Sequence, residues 1–133
     1  MPFYTLKDLN KTAGGTNPLI EVNSAVGEFM KAAIVRKPEG EGPPLHEHPN
    51  EEQFTLVLEG EMHFILGDED RVVGPGTLVH IPRHTPHRSR PVNGPATVFA
   101  VKSPAGDGRL DEDYQRRPEA AEAEKLYPGR PSR

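Results

Sequence analysis

Fifteen prolines and thirteen glycines punctuate this chain without clustering, and that spacing limits the fold more than any other feature. It points to many short strands joined by turns rather than to disorder. Between the breaks lie short apolar runs: EFMKAAIVRK (28 to 37), QFTLVL (53 to 58), EMHFIL (61 to 66), RVV (71 to 73), LVHI (78 to 81) and ATVFAVKS (96 to 103). Two of these are separated by Glu59-Gly60 alone, which reads as a two-residue hairpin. After Gly106 the pattern changes. PEAAEAEKLYPG (118 to 129) opens on proline, carries alanine and glutamate, and closes on Pro-Gly, which predicts a short helix. The expected fold is all-β with one short C-terminal helix: an N-terminal arm or strand (1–27), a barrel-like body (28–105) and a tail (106–133).

At 133 residues the chain suits one domain with a real core. Sixteen basic against twenty acidic residues give a net charge of −4, and no basic block appears, so nucleic acid is not expected as a partner. The absence of cysteine excludes disulfides, thiolate metal sites and cysteine nucleophiles. No signal-type apolar region or membrane-length run is present, so a soluble, cytoplasmic protein without a membrane partner is expected.

Strand alternation then assigns faces. With the hairpin tip at Glu59-Gly60, one face carries Gln53, Thr55, Val57, Met62, Phe64 and Leu66. The other carries Phe54, Leu56, Leu58, Glu61, His63 and Ile65. Both are largely apolar, so both should be covered. One cover is the barrel interior, and a second subunit is expected over Phe54, Leu56, Leu58 and Ile65, making a homodimer.

The stretch LHEHPNEEQF (45 to 54) carries the chemistry. Residues i and i+2 of a strand share a face, so His46 and His48 can aim two imidazoles at one point, and imidazole nitrogen is a common ligand for iron, zinc, manganese, nickel or copper. Glu47 must point away. Whether Glu51, Glu52 or Gln53 joins them is open from these residues alone. The wider spacing is more specific: Gly40, His46-x-His48, Gln53 and Gly60, followed by Gly76, Pro82 and His87.

With these motifs the sequence resembles the cupin superfamily, whose first motif is Gly-x5-His-x-His-x3-4-Glu-x6-Gly and whose second is Gly-x5-Pro-x-Gly-x2-His-x3-Asn. GEGPPLHEHPNEEQFTLVLEG corresponds to the first and GTLVHIPRHTPHRSRP in part to the second. The resemblance spans about residues 28 to 105 and implies a double-stranded β-helix, a conical barrel with a metal at its mouth. It implies one divalent transition metal per chain (iron, manganese, zinc, nickel or copper), held by His46, His48, His87 and the residue at the glutamate position. The distance to Gly60 puts Gln53 at that position, with Glu52 as the alternative, since a one-residue slip reverses the face. His84 stands where the family has glycine, and Pro91 where it has asparagine.

A neutral amide in place of glutamate leaves the full charge on a divalent ion, which favours an oxyanionic ligand. Thr55, Val57, Met62 and Phe64 form the expected pocket wall, with Arg83 beside the mouth to attract an anion. His84 and His80 are the candidate acid–base residues, having reference pKa values near 6.5. His63 reads as a surface or interface histidine, and Arg83, Arg88, Arg90 and Lys102 as a charged surface group. The resemblance implies a metal-dependent enzyme acting on a small, anionic, partly apolar metabolite. Its chemistry is either dioxygenase-like or Lewis-acid (cyclase, isomerase or lyase). The alternative is a non-catalytic module that binds a small ligand.

Overall fold

The computed structural model describes residues 3–14, 17–104, 115–116, 119 and 123. After a short 3-10 turn at Leu6–Asp8, nine strands follow: β1 (Asn10–Gly14), β2 (Asn17–Val26), β3 (Lys31–Lys37), β4 (His46–Glu47), β5 (Glu52–Leu66), β6 (Glu69–Val73), β7 (Leu78–Ile81), β8 (His87–Ser103) and β9 (Gln115–Arg116). All pairings are antiparallel. The fold is a cupin-type β-barrel.

The runs expected as a hairpin are a single strand. Glu59 and Gly60 form an irregularity within β5, where its register with β8 shifts twice between Val57 and Glu61. The strand changes its pairing partners there, as bulged strands can. Its first half pairs with β7 and with residues 98–103 of β8; its second half pairs with β6 and with residues 87–92 of β8. Gly60 has φ +79°, and a Cβ there would lie 2.3 Å from the Pro95 carbonyl oxygen and 2.9 Å from Ala96 Cα. Only glycine fits so close an approach. The true hairpin is one turn later, at Gly67-Asp68, which joins the Leu66–Glu69 pair with Gly67 at φ +61°.

The face assignment survives this change of topology. Val57, Met62, Phe64, Val79, Ile81, Ala96 and Val98 form the interior core. A two-residue hairpin tip and a one-residue bulge both reverse strand parity, so both bring Val57 and Met62 to the same side.

The opposite face differs in its two halves. Along the first half Phe54 and Leu58 are exposed. Along the second, Ile65 packs with Leu45 and Ala123, so it is not part of an open patch. His63 is 1% exposed, contrary to its reading as a surface or interface residue. It donates from Nε2 to Asp70 and accepts at Nδ1 from Arg88 Nη1 at 3.5 Å. Arg88 and Arg90 are buried as well, and Arg90 donates to the Pro43 carbonyl at 3.4 Å. These arginines belong to the inner part of the molecule because loop carbonyls and a histidine supply acceptors there.

The arm, residues 1–27, contributes β1 and β2, which extend the sheet beyond β3. The helix expected over 118–129 lies mostly outside the described residues. Within it Ala123 is helical and its N–H donates to the Glu119 carbonyl at 3.0 Å. No helix among the described residues is long and apolar enough to cross a membrane.

Candidate metal centre

Two elements far apart in sequence bring three histidines together. His46 opens β4 and pairs directly with His87, the first residue of β8. His48 follows two residues later, on the same side as His46. The ring centroids stand 4.9 Å (His46–His48), 4.2 Å (His46–His87) and 5.3 Å (His48–His87) apart. One ring nitrogen from each can be chosen so that all three lie within 4.8 Å of one another. All three side chains are buried.

Hydrogen bonding selects the atoms that remain for a ligand. His46 Nδ1 donates to the Pro44 carbonyl at 2.7 Å, and His87 Nδ1 donates to the Thr85 carbonyl at 3.0 Å. Each bond places the proton on Nδ1 and leaves an Nε2 lone pair, as in histidines that ligate metals. Burial pushes the His46 pKa down to about 2, with His87 and Lys102 adding to the effect against the Pro44 hydrogen bond. Burial likewise pushes His87 down to about 4, with positive charge at His48, Lys102 and Lys37 contributing. Both rings are therefore neutral near pH 7. Neutral imidazoles converging in a protected site are a donor set suited to a divalent transition ion.

Strand faces separate the two candidates for the fourth position. Glu52 is exposed and accepts from His80 Nε2 at 2.9 Å. His80 is exposed too, and its ring stacks on Phe54 at 4.4 Å. Both lie on the outer face, opposite Thr55 and Val57. No aspartate or glutamate of the described residues joins the three-histidine group. Gln53 lies on the inner face, half-buried, and its Nε2 donates to Thr55 Oγ1 at 2.6 Å.

The loop 82–86 lies next to the histidines through its backbone. The N–H of His84 donates to the His48 carbonyl at 3.0 Å. His84 holds φ +61°, the left-handed conformation for which glycine is favoured, so the departure from the glycine pattern changes the side chain and keeps the turn. The side chains of His84 and Arg83 are exposed.

Of the expected wall residues, Val57 and Met62 are 1% exposed and fill the core beside the corner. Phe64 is buried there and also borders a concavity of about 170 Å³ between β6 and β7. Thr55 is buried next to Gln53. A second concavity, of about 420 Å³, reaches Lys37 from the corner end. Neither is lined by the three histidines.

Two residues of the interior were not anticipated. Lys102 pairs with Gln53, and its positive charge helps to lower His46 and His87; the sequence reads it as part of a charged surface group. Lys37 reaches across to β8, where its Nζ donates to the Ser89 carbonyl and to Ser89 Oγ, each at 3.3 Å. The signal was present as alternation. Ala33, Val35 and Lys37 form one series and Val98, Ala100 and Lys102 another, each an apolar inner face that ends on lysine.

Residues 33–102 match the Cupin domain family profile, about half of the chain. A dimethylsulfoniopropionate lyase, DddQ, from Ruegeria pomeroyi is 37% identical over 75 residues, covering 56% of this chain and 37% of the lyase. The aligned part thus spans well under half of that protein. KdgF from Halomonas sp. superposes with a TM-score of 0.72 at 23% identity, covering 81% of this chain and 97% of the other. A nucleoside dehydratase from Streptomyces superposes with a TM-score of 0.69 at 16% identity, covering 88% and 91%. At such identities these two structures establish the fold alone.

Proposed function

The chain belongs to the cupin family, and from that membership we propose that it is a metal-dependent enzyme performing Lewis-acid chemistry on a small, anionic, partly apolar metabolite. The observation that carries this reading is the convergence of His46, His48 and His87, two of them held at Nδ1 by backbone carbonyls. These three residues would hold one divalent transition metal. A bound ion of this kind supplies Lewis acidity that stabilises negative charge developing on a substrate oxygen.

The remaining roles belong to the chain. Gln53 is the proposed fourth ligand: its Nε2 is engaged by Thr55 Oγ1, so the amide oxygen is the atom left to approach a cation. Val57, Met62 and Phe64 are buried in the apolar interior. His46 and His87 are too acidic as imidazolium ions to carry a proton near neutrality, which leaves exposed His84 as the acid–base candidate and Arg83 as a guide for anions at the mouth. The resemblance to a protein named as a lyase supports a redox-neutral reaction over a dioxygenase-like one.

Turnover decides between them. Protein loaded with zinc or with iron is offered enolisable acids, catechols and carboxylates with a β leaving group, dimethylsulfoniopropionate among them, under air and under argon. Product formation with zinc under argon is expected. Strict dependence on iron and air would overturn the Lewis-acid reading, and tight binding without turnover would make the protein a binding module.

A further inference from the structure

The three histidines are held unequally. His87 opens the long strand β8, and His48 is tied through its carbonyl to the His84 N–H at 3.0 Å. His46 sits in β4, which is two residues long. The chain on either side of β4, residues 38–45 and 48–51, is irregular and rich in proline and glycine. So short a strand takes its position from its neighbours. Among the described residues β4 makes three residue pairs. One is with β8, His46 with His87, and two are with β9, His46 with Arg116 and Glu47 with Gln115. β9 thus makes β4 an inner strand, with β8 on its other edge.

The C-terminal tail makes a second contact at the same point. Leu45, the residue before His46, packs with Ile65 and Ala123, and all three are buried. Ile65 pairs with Arg88, whereas the next residue, Leu66, pairs with His87. Alternation therefore turns Ile65 away from His87, and the apolar cluster backs the His46–His87 pair from the opposite face of the sheet. Ala123 is presented by a helical turn in which its N–H donates to the Glu119 carbonyl at 3.0 Å. A backbone ladder along one edge and an apolar seat behind are both supplied by residues beyond the barrel body.

We propose that the C-terminal tail is a positioning element of the three-histidine group. β9 holds β4 in register with β8, and Ala123 seats Leu45, so that together they fix His46 against His87. This rests on the reading of the histidines as a metal centre. The tail acts through β4 and makes no bond to an ion. Such support matters because ligating groups have to be held within about 0.5 Å of their working geometry by the shell around them.

Two substitutions in the full chain test it. Ala123→Glu sets a carboxylate against Leu45 and Ile65, and Gln115→Pro removes a strand donor from β9. Each should lower zinc affinity about 10–100-fold, the range for losing a group that supports a metal ligand, with the far-ultraviolet circular dichroism unchanged. In metal-free protein the amides of His46 and Glu47 should exchange with deuterium faster, while those of Ile34 and Val98 keep their wild-type rates. Val98→Ala is the control. It opens the barrel core away from the tail and should lower the melting temperature with zinc affinity undiminished. Unchanged zinc affinity in both tail variants would overturn the proposal. So would an equal loss in Val98→Ala, which would make it a general effect of stability. Exchange in chelator-treated protein keeps the two readings apart. A chain that takes up no zinc sinks the metal reading, yet faster exchange at His46 and Glu47 in both tail variants would uphold the role of the tail. Wild-type exchange rates there would end it.

Discussion

At the residue scale, the three histidines make the most direct predictions. Replacing His46, His48 or His87 by alanine should lower zinc affinity by more than the ~10–100-fold typical of losing an outer hydrogen-bond partner, as read by titration and elemental analysis. Gln53→Ala should weaken binding, Gln53→Glu should strengthen it by adding an anionic oxygen, and Glu52→Ala should leave it unchanged because that carboxylate faces His80 outside. Metal-free protein should also respond to pH. Below about 6.5 the unfolded chain protonates histidines that the native fold keeps neutral down to about 4 at His87 and about 2 at His46. Native stability therefore falls as pH drops from 6.5 toward 4. Urea midpoints across that range should show the slope, and a His46→Gln, His87→Gln double variant should flatten it. His84 offers a separate test. Its φ of +61° costs a non-glycine residue roughly 1 kcal/mol, so His84→Gly should raise the unfolding free energy by about that amount.

At the scale of elements, the corner in β5 and β8 is where their mutual register breaks and β5 changes its other partner from β7 to β6. Gly60 meets the Pro95 carbonyl at 2.3 Å where a Cβ would go, while β8 turns alongside through Asn93 at φ +61° and Gly94 at φ +124°. Glu39 Oε1 accepts from the Gly94 N–H at 2.9 Å, which ties the loop before β4 to this corner. Gly60→Ala should thus cost more than about 2 kcal/mol, combining a steric clash with left-handed strain. Chemical denaturation measures it. The same variant should lose metal affinity only to the extent that it unfolds, since the histidines sit at the far ends of the strands.

At the scale of the whole molecule, the outer face of the β5–β7–β8 sheet remains apolar. Phe54, Leu58, Leu78 and Phe99 are exposed at 43%, 41%, 59% and 37%, and Leu56 pairs with both Leu78 and Phe99. Such a connected patch on adjacent strands is the mark of an interface. Its membership differs from the expected one: Ile65 is covered by Leu45 and Ala123, and Leu78 and Phe99 take its place. Each such side chain contributes roughly 1.5–3 kcal/mol when fully buried, so a homodimer through this face is the expected state. Light scattering should report twice the chain mass, and Phe54→Glu with Phe99→Glu should return the monomer with its zinc binding intact.

Alternation by itself determined which residues of β5 face inward and that His46 and His48 share a side, because both are consequences of local geometry. His87 joined them only through the resemblance to the cupin motifs, since the pairing of β4 with β8 is a tertiary contact. The inner face was legible even with the hairpin misread, since parity reverses at a bulge as it does at a two-residue turn. Charged residues were legible least. Arg88 and Arg90 look solvated in HRSRPV, and His80 looks buried in LVHI, but their surroundings come from segments far along the chain. His80 meets Glu52 across 28 residues, Arg88 meets His63 across 25, and Lys37 meets Ser89 across 52. A hydrophobic period reports which side of a strand is dry on average. Only the packed strands decide where an ammonium or guanidinium group finds its acceptors.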